Sequence, residues 1–205
     1  MTTRFVRTGA ALAVALTMAA CSNSATSPSE STGGAGSGGG GSLGTGTLKI
    51  MMKDSPFSDA KAVLVTFSEV SVHKSGGGWE RLPFDASATA RTCDLKHLES
   101  VTDLLGVGPL EAGHYTQIRL VVSSATLYFA NPSTVLGCAA TIPPPLGSKA
   151  DVTVPSGTLH LNREFDLPAD GIVVITLDFD GDKSIKETGN GKFMMQPVIG
   201  IVSVS

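Results

Sequence analysis

The sequence predicts an all-β protein, a two-sheet β-sandwich of about eight strands with one short helix. Two segments, Thr158 to Leu167 and Ile172 to Asp180, alternate apolar and polar residues, which is the pattern of strands that pack one face on a core. Turn signals such as Asp54-Ser55-Pro56 and Pro155-Ser156-Gly157 separate runs of this kind. Many short strands and a single helix in one domain favour the sandwich.

Length and charge limit the classes of protein to consider. The chain has 205 residues, of which 41% are hydrophobic and 16% charged, so it is long enough for one domain with appendages. Its formal net charge is -3, and it becomes -5 once a leader with two arginines, Arg4 and Arg7, is removed. Affinity for nucleic acid depends on clustered Lys and Arg, and the sequence has no such cluster. We therefore expect neither a nucleic-acid partner nor a polybasic membrane patch.

Residues 1–20 have the composition of a lipoprotein signal peptide. Arg4 and Arg7 precede an apolar run over residues 9–20, which is too short to span a bilayer, where about 20 apolar residues are needed. The ending Met18-Ala19-Ala20-Cys21 resembles a bacterial lipobox, in which the cysteine is diacylated and becomes the new N-terminus, although Met18 stands where the pattern prefers Leu. We expect lipidation of Cys21 to anchor the protein to a membrane. The alternative is an ordinary signal peptide followed by an incidental cysteine.

The address that follows from this leader is the cell envelope. Ser22, directly after the cysteine, resembles the residue found in lipoproteins that are sent to the outer membrane. We therefore expect the outer rather than the inner membrane, with the protein facing the periplasm or the cell surface.

Residues 21–46 are predicted to be the anchor cysteine and a tether. From Ser22 to Gly46 the chain is rich in Ser, Thr, Gly and Pro, a composition that cannot bury enough apolar surface to fold. A disordered tether of this length has a root-mean-square reach of roughly 25 to 30 Å. A dinucleotide-type glycine pattern at Gly36 and a serine-hydrolase pattern at Ser42 fall in it, but the flanking strand and helix that each requires are missing. The β-sandwich domain is predicted over residues 47–205.

The first half of this domain reads as strands and turns. A strand is predicted from Thr47 to Lys53 and another from Ala62 to Lys74. The apolar parity of the second segment changes near Ser68-Glu69, which predicts a β-bulge. Ser75 to Gly78 is predicted to turn the chain into a short strand from Trp79 to Leu82.

In one segment the spacing of the apolar residues changes from that of a strand to that of a helix. In Asp94 to Leu105 the apolar residues Leu95, Leu98, Val101 and Leu105 recur at helical spacing. Asp94 is suited to cap the first turn, and Gly106 follows the last apolar position. We expect the single helix of the protein over this segment.

The second half again alternates. The remaining strands are predicted over His114 to Phe129, Asp151 to Val154, Thr158 to Leu167, Ile172 to Asp180 and Lys192 to Val204. The last two are expected to pair in the core, and Pro197 argues for a bulge or an edge in the final strand. An irregular excursion is expected between Asn131 and Pro145.

Several ordered motifs of this domain carry a family resemblance: Asp54-Ser55-Pro56, His114-Tyr115-Thr116-Gln117-Ile118-Arg119-Leu120, Val154-Pro155-Ser156-Gly157, Leu177-Asp178-Phe179-Asp180, Thr188-Gly189-Asn190-Gly191-Lys192-Phe193 and Gln196-Pro197-Val198-Ile199. With these motifs the chain resembles the bacterial and archaeal envelope family known as domain of unknown function 4382, over about residues 46–203. The resemblance implies a secreted, β-rich and commonly lipid-anchored domain, and it supplies no activity or site. Gly181-Asp182 and an insertion over residues 137–145 depart from the family pattern.

Cys93 and Cys138 are the cysteines that remain beyond the anchor. An even pair in an exported chain predicts a disulfide. The alternative is two buried free thiols.

Asp178, Asp180 and Asp182 form the best metal candidate in the sequence. They place carboxylates at alternate positions, which suits a weak calcium site, although the spacing of an EF-hand is not met. The alternative is that Asp178 and Asp180 lie on a solvated strand face while Asp182 caps the turn that follows.

The remaining chemistry is sparse. The four histidines, His73, His97, His114 and His160, have no zinc spacing, and no catalytic constellation is recognisable. Trp79, Tyr115 and Tyr128 suggest either a sugar-stacking platform or ordinary core residues.

These observations favour a monomeric, lipid-anchored, extracytoplasmic module that binds an unknown protein or glycan, or has a structural role, without catalysis or a cofactor. A calcium-stabilised adhesion or glycan-binding module is the first alternative. An enzyme of unknown class is the second.

Overall fold

A computed structural model of the chain describes residues 44–55, 58–84 and 88–205, so the predicted signal peptide, Cys21 and most of the tether lie outside the described residues. The described elements are β1 (Thr45–Ser55), β2 (Ala62–Lys74), β3 (Trp79–Leu82), β4 (Arg91–Asp94), α1 (Leu95–Leu98), β5 (Asp103–Glu111), β6 (Gly113–Tyr128), β7 (Cys138–Ala139), β8 (Lys149–Thr153), β9 (Thr158–Leu167), β10 (Ile172–Asp180), α2 (Gly181–Ser184), β11 (Ile185–Gly189), β12 (Lys192–Met195) and β13 (Ile199–Val204). Neither of these helices has the length or the apolar surface to cross a membrane.

The first sheet has four strands in the order β13-β10-β1-β5. Its central pair, β1 and β10, runs parallel from Thr47 opposite Ile172 to Ser55 opposite Asp180. Both outer strands are antiparallel to their neighbours. Because β1 and β10 are parallel, their carboxyl ends meet at the same edge of the sheet.

The second sheet has nine strands and is organised around the long antiparallel pair β2 and β6. Its main order is β11-β12-β8-β6-β2-β4-β7, with β3 also pairing β2 and β9 also pairing β6. The register of β2 against β6 shifts on both sides of Phe67, which confirms the bulge predicted near Ser68-Glu69. Strands β2, β3, β9 and β10 have the predicted bounds.

The core lies between the sheets and is supplied by alternate residues of both. Large fully buried side chains come from the first sheet at Leu48 and Phe179 and from the second at Phe67, Tyr115 and Leu120. Burial of a side chain of this size contributes roughly 1.5 to 3 kcal/mol relative to exposure. The predicted all-β sandwich is confirmed.

The helix predicted over residues 94–105 is wrong in its extent. Only α1 is helical, and β5 begins at Asp103. Leu95 and Leu98 are buried, but Val101 is 49% exposed and Leu105 is buried as part of β5. One helical turn followed by a strand reproduces the apolar spacing of a three-turn helix by coincidence.

The single final strand predicted over residues 192–204 is also wrong. The chain leaves the second sheet after β12 and enters the first sheet as β13, which pairs antiparallel with β10. Pro197 lies at this crossing, and its neighbours are held by α2: the N–H of Gln196 donates to the Ser184 carbonyl, and that of Val198 to Ser184 Oγ at 2.8 Å. The expected pairing with Ile172–Asp180 therefore holds only for β13, an edge strand.

Candidate functional site

The predicted disulfide is present and is structural. Cys93 in β4 and Cys138 in β7 lie opposite each other in register and are bonded. Around it, the N–H of Cys138 donates to Asp103 Oδ2 at 2.7 Å, and Arg91 donates to the Cys138 carbonyl at 3.1 Å. The bond ties the short strand of the excursion to the strand that leads into α1.

The aspartates predicted as a calcium candidate lie at the carboxyl ends of β1 and β10, but each has its own environment. Asp178 forms an ion pair with Lys53 Nζ at 2.7 Å and accepts a hydrogen bond from Ser55 Oγ at 3.2 Å. Both partners belong to β1, the parallel neighbour of β10.

Asp180, and not Asp182, caps the turn that follows β10. Its Oδ1 accepts the backbone N–H of Lys183 at 3.0 Å, and its Oδ2 lies 2.6 Å from Lys183 Nζ. These bonds from Lys183 hold the pKa of Asp180 below its usual value. Asp182 is exposed in the first turn of α2. Within the described part of the chain, no group of three or more His, Cys, Asp or Glu side chains is placed to hold a metal ion.

A residue that sequence reasoning missed, Asp54, is the most unusual acid at this edge of the sheet. It is 4% exposed, and neither carboxyl oxygen has a hydrogen bond of acceptable geometry among the described residues. Burial first, and then the nearby charges of Glu99 and Asp178, raise the pKa of Asp54 to about 8. The backbone N–H of Gly181 approaches the carboxyl group and opposes this rise, but it does not complete a hydrogen bond.

Asp54 faces a cavity of about 230 Å³, which we call the Asp54 cavity. Its lining residues are Lys53, Asp54, Leu98, Glu99, Ser100, Val101 and Thr102. A signal for this burial exists in the sequence, because Asp54 continues the buried parity of Leu48, Ile50 and Met52 in β1.

A second buried acid, Asp94, caps α1 and accepts two backbone hydrogen bonds. Its Oδ1 accepts the backbone N–H groups of Val63 and Lys96, both at 3.1 Å. Its Oδ2 lies 3.1 Å from His97 Nδ1, an ion-pair contact whose angles are outside the hydrogen-bond range. Burial raises the pKa of Asp94, and the Val63 amide and His97 oppose the rise.

The outward face of the second sheet carries a regular group of polar and aromatic side chains. Directly paired residues of β3, β2, β6 and β9 share a face, and two successive rows of four lie on the side away from the core. We call this surface the Trp79 face; its rows are Trp79, His73, Gln117 and Asn162, and Arg81, Ser71, Arg119 and His160.

The indole of Trp79 lies across this face. Its ring centroid is 5.2 Å from that of His73 and 5.5 Å from that of His160, both in edge-on contact. Strands β3 and β9 are separated by three sheet spacings, about 14 Å, so the indole must extend over β2 and β6 to reach His160. Arg119 Cζ lies 4.4 Å from the ring centroid. Trp79 is half-buried, so part of its side chain remains accessible to solvent.

Arg119 is itself fixed. Its guanidinium pairs with Glu69 Oε1, and its Nε donates to Ser71 Oγ at 3.0 Å, while Ser71 Oγ donates to Glu69 Oε1 at 2.9 Å. Burial alone would raise the pKa of Glu69, but the hydrogen bonds from Arg119 and Ser71 outweigh it and the pKa is lowered. The positive charge of Arg119 below the indole is therefore balanced by the carboxylate of Glu69.

The two tyrosines do not join Trp79. Tyr115 is fully buried, stacks on Phe165 with centroids 5.2 Å apart, and donates to the Glu111 carbonyl at 2.7 Å. Tyr128 is 5% exposed. The three-residue stacking platform is therefore wrong for both tyrosines, which are core residues, whereas Trp79 lies at the surface.

A further cavity lies in the irregular segment between Asn131 and Leu146. It has a volume of about 460 Å³ and is lined by Asn131, Pro132, Thr134, Pro143, Pro144, Pro145 and Leu146. Its lining bears no ionisable side chain. Leu146 is 82% exposed.

Comparison with known proteins identifies the chain at the level of its domain. No curated protein and no solved structure matches it. The model of one family, Domain of unknown function (DUF4382), matches residues 45–197, a span that contains both the Asp54 cavity and the Trp79 face. The match covers most of the chain, and the chain belongs to the DUF4382 family.

Proposed function

We propose that this protein is a lipid-anchored, extracytoplasmic and non-catalytic binding module whose Trp79 face takes a saccharide. The observation that carries the proposal is the Trp79 indole, which lies across an open sheet face with one ring face backed by Arg119. The predicted binding module thus has a proposed binding surface, the Trp79 face, and a proposed class of ligand, the saccharides.

The chemistry of the Trp79 face suits a sugar ring. The C–H groups of a pyranose are apolar and pack on an aromatic face, while its hydroxyl groups require donors and acceptors at the rim. Gln117 and Asn162, in the same row as Trp79, provide such groups. His160, in the neighbouring row, provides another. A flat polar sheet with one aromatic ring therefore matches the amphipathic surface of a saccharide.

The platform is also organised before any ligand arrives. Arg119 is held by Glu69 and Ser71, and Trp79 is held by Arg119 and two histidines. Less side-chain entropy is lost on binding when the contacting groups are already ordered. This fixed geometry supports recognition of a rigid ring.

The location rests on the N-terminal sequence. Residues 1–20 and Cys21 have the leader and lipobox pattern, and the Gly- and Ser-rich tether separates them from the domain. A diacylated cysteine binds a membrane stably, where a single acyl chain does not. Metabolic labelling with a palmitate analogue is expected for the wild type and not for Cys21→Ala; labelling of the variant would refute the anchor.

The binding function is tested on a glycan array, followed by affinity electrophoresis with the saccharides that score. Trp79→Ala is expected to lower affinity at least about fivefold, since stacking on one aromatic ring contributes about 1 kcal/mol or more. Trp79→Phe should retain part of the affinity, and Lys149→Ala, an exposed change on β8, should retain all of it. Binding that is unchanged in Trp79→Ala would refute the site. Recovery of a cleaved saccharide would refute the non-catalytic role.

A further inference from the structure

We infer that the Asp54 cavity is a divalent-cation site of the calcium class, with the carboxylates of Asp54 and Glu99 as its charged ligands. The inference does not rest on the saccharide proposal, because the cavity belongs to the first sheet and α1 while the Trp79 face belongs to the second sheet.

The first observation is the state of Asp54. Its side chain is almost wholly buried, lines the cavity, and has no hydrogen bond for either oxygen among the described residues. A buried carboxyl group without partners is unfavourable unless it takes up a proton or a cation. The site therefore lacks a positive group at the carboxyl oxygens.

The second observation is the balance of charge around Asp54. Glu99 and Asp178 act on it as negative charges and Lys96 as a positive one. The lysines are already paired, Lys53 with Asp178 at 2.7 Å and Lys96 with Glu99. The three acids and two lysines leave one uncompensated negative charge when Asp54 is ionised.

The third observation is the lining of the cavity. Ser100 and Thr102, two residues with hydroxyl side chains, line the cavity together with the acids Asp54 and Glu99. A volume of about 230 Å³ exceeds the roughly 30 Å³ share of one water several-fold, so an ion and its remaining waters fit. Ca²⁺ accepts six to eight oxygen ligands in flexible geometry, including water, which suits two carboxylates and neutral oxygens.

The neighbouring aspartates are less suited to this ion. Asp178 is paired with Lys53, and Asp180 both caps α2 and contacts Lys183. Asp182 is exposed. At Asp178 and Asp180 a cation would have to displace a lysine ammonium group from the carboxyl oxygens. The oxygens of Asp54 have no ammonium partner, and at the second ligand, Glu99, the contact with Lys96 would rearrange.

The test is calorimetric titration of the full-length, EDTA-treated protein with calcium chloride at pH 7.5, together with thermal melts. We expect about one calcium ion per wild-type chain and a melting point about 5 °C higher at saturation. Asp54→Asn should bind no calcium and show no shift. Asp182→Asn is the matched control and should behave as the wild type.

Two results would overturn the inference. One is a wild-type protein that binds no calcium at millimolar concentration. The other is binding that survives in Asp54→Asn but is lost in Asp182→Asn. Circular dichroism establishes that Asp54→Asn is folded, and Glu99→Gln, which should also lower the calcium affinity, tests the cavity through its second ligand.

Discussion

The Trp79 face and the Asp54 cavity treat charged side chains in opposite ways. On the Trp79 face Glu69, Ser71 and Arg119 are joined to one another by hydrogen bonds and an ion pair. The side chain that remains for a ligand there is the aromatic ring of Trp79. In the Asp54 cavity the lysines are paired with other acids, and the group left over is a buried carboxyl. In each region we expect the ligand chemistry to follow what the local network leaves unsatisfied: an apolar surface on the Trp79 face and a negative charge in the Asp54 cavity.

The largest expected effect is on stability at high pH. The pKa of Asp54 is about 8 in the folded protein and returns near its ordinary value of 3.8 on unfolding. The folded state therefore holds the proton more tightly, so this contribution to stability is fully present below about pH 4 and is lost as the pH rises to about 8. In EDTA at pH 9, Asp54→Asn should be about 3 to 5 kcal/mol more stable than the wild type, with little difference at pH 4. Urea unfolding followed by tryptophan fluorescence measures this; a difference that is constant with pH would contradict it.

Removal of the disulfide should affect one region and not the other. The Cys93→Ser, Cys138→Ser double variant is expected to lose about 2 to 4 kcal/mol of stability, because the unfolded chain is no longer constrained. Cys93 directly precedes the capping residue of α1, which leads into the lining of the Asp54 cavity. Calcium affinity should therefore fall while saccharide affinity is retained. Equal losses at both sites would show that the two regions are not independent.

Arg119→Ala tests the platform under the indole. The change removes the cation–π contact with Trp79 and the partner of Glu69, which should cost about 1 kcal/mol of stability and lower saccharide affinity about tenfold. Arg119→Lys should recover only part of this, because Lys lacks the planar fork. Arg163→Ala, an exposed arginine of β9, is the control. A saccharide affinity that Arg119→Ala leaves unchanged would show that holding the indole in place before binding does not contribute to the affinity.

The smallest effect is expected at Lys183. Lys183→Ala removes the side-chain bond that is the largest cause of the lowered pKa of Asp180 and keeps the backbone N–H bond, so that pKa should rise part of the way to its usual value in a carbon-detected NMR titration. Both groups are at the surface, and calcium affinity at the Asp54 cavity should not change. A loss of calcium binding in this variant would indicate that the ion binds at Asp180 and not in the Asp54 cavity.

Local patterns predicted much of the fold. Alternation located β9 and β10, and a change of apolar parity located the bulge of β2 at Phe67. The even pair Cys93 and Cys138 was enough to predict the disulfide. Each of these signals is read within a few residues or from a simple count, so it needs no knowledge of which strands are neighbours.

The errors arose where tertiary pairing overrides a local pattern. Residues 103–111 pair with β1, which converts the end of the predicted helix into a strand. Pro197 marks a crossing between sheets, and only the sheet topology shows that β12 and β13 separate there. Asp54 lay on a buried parity that was visible in the sequence, but its cavity is completed by Glu99 from a distant segment. The Trp79 face likewise depends on register across four strands.

The most direct test of the two-site account is an NMR titration of the folded protein, in which Trp79 is the sole tryptophan and gives a single indole N–H resonance. A saccharide that scores on the array should shift this resonance and the amides of His160 and Asn162, while calcium should shift the amides around Gly181 and leave the indole unchanged. If saccharide leaves the indole unmoved, or if both ligands shift the same set of resonances, the division into an aromatic saccharide face and an acidic cation cavity is wrong.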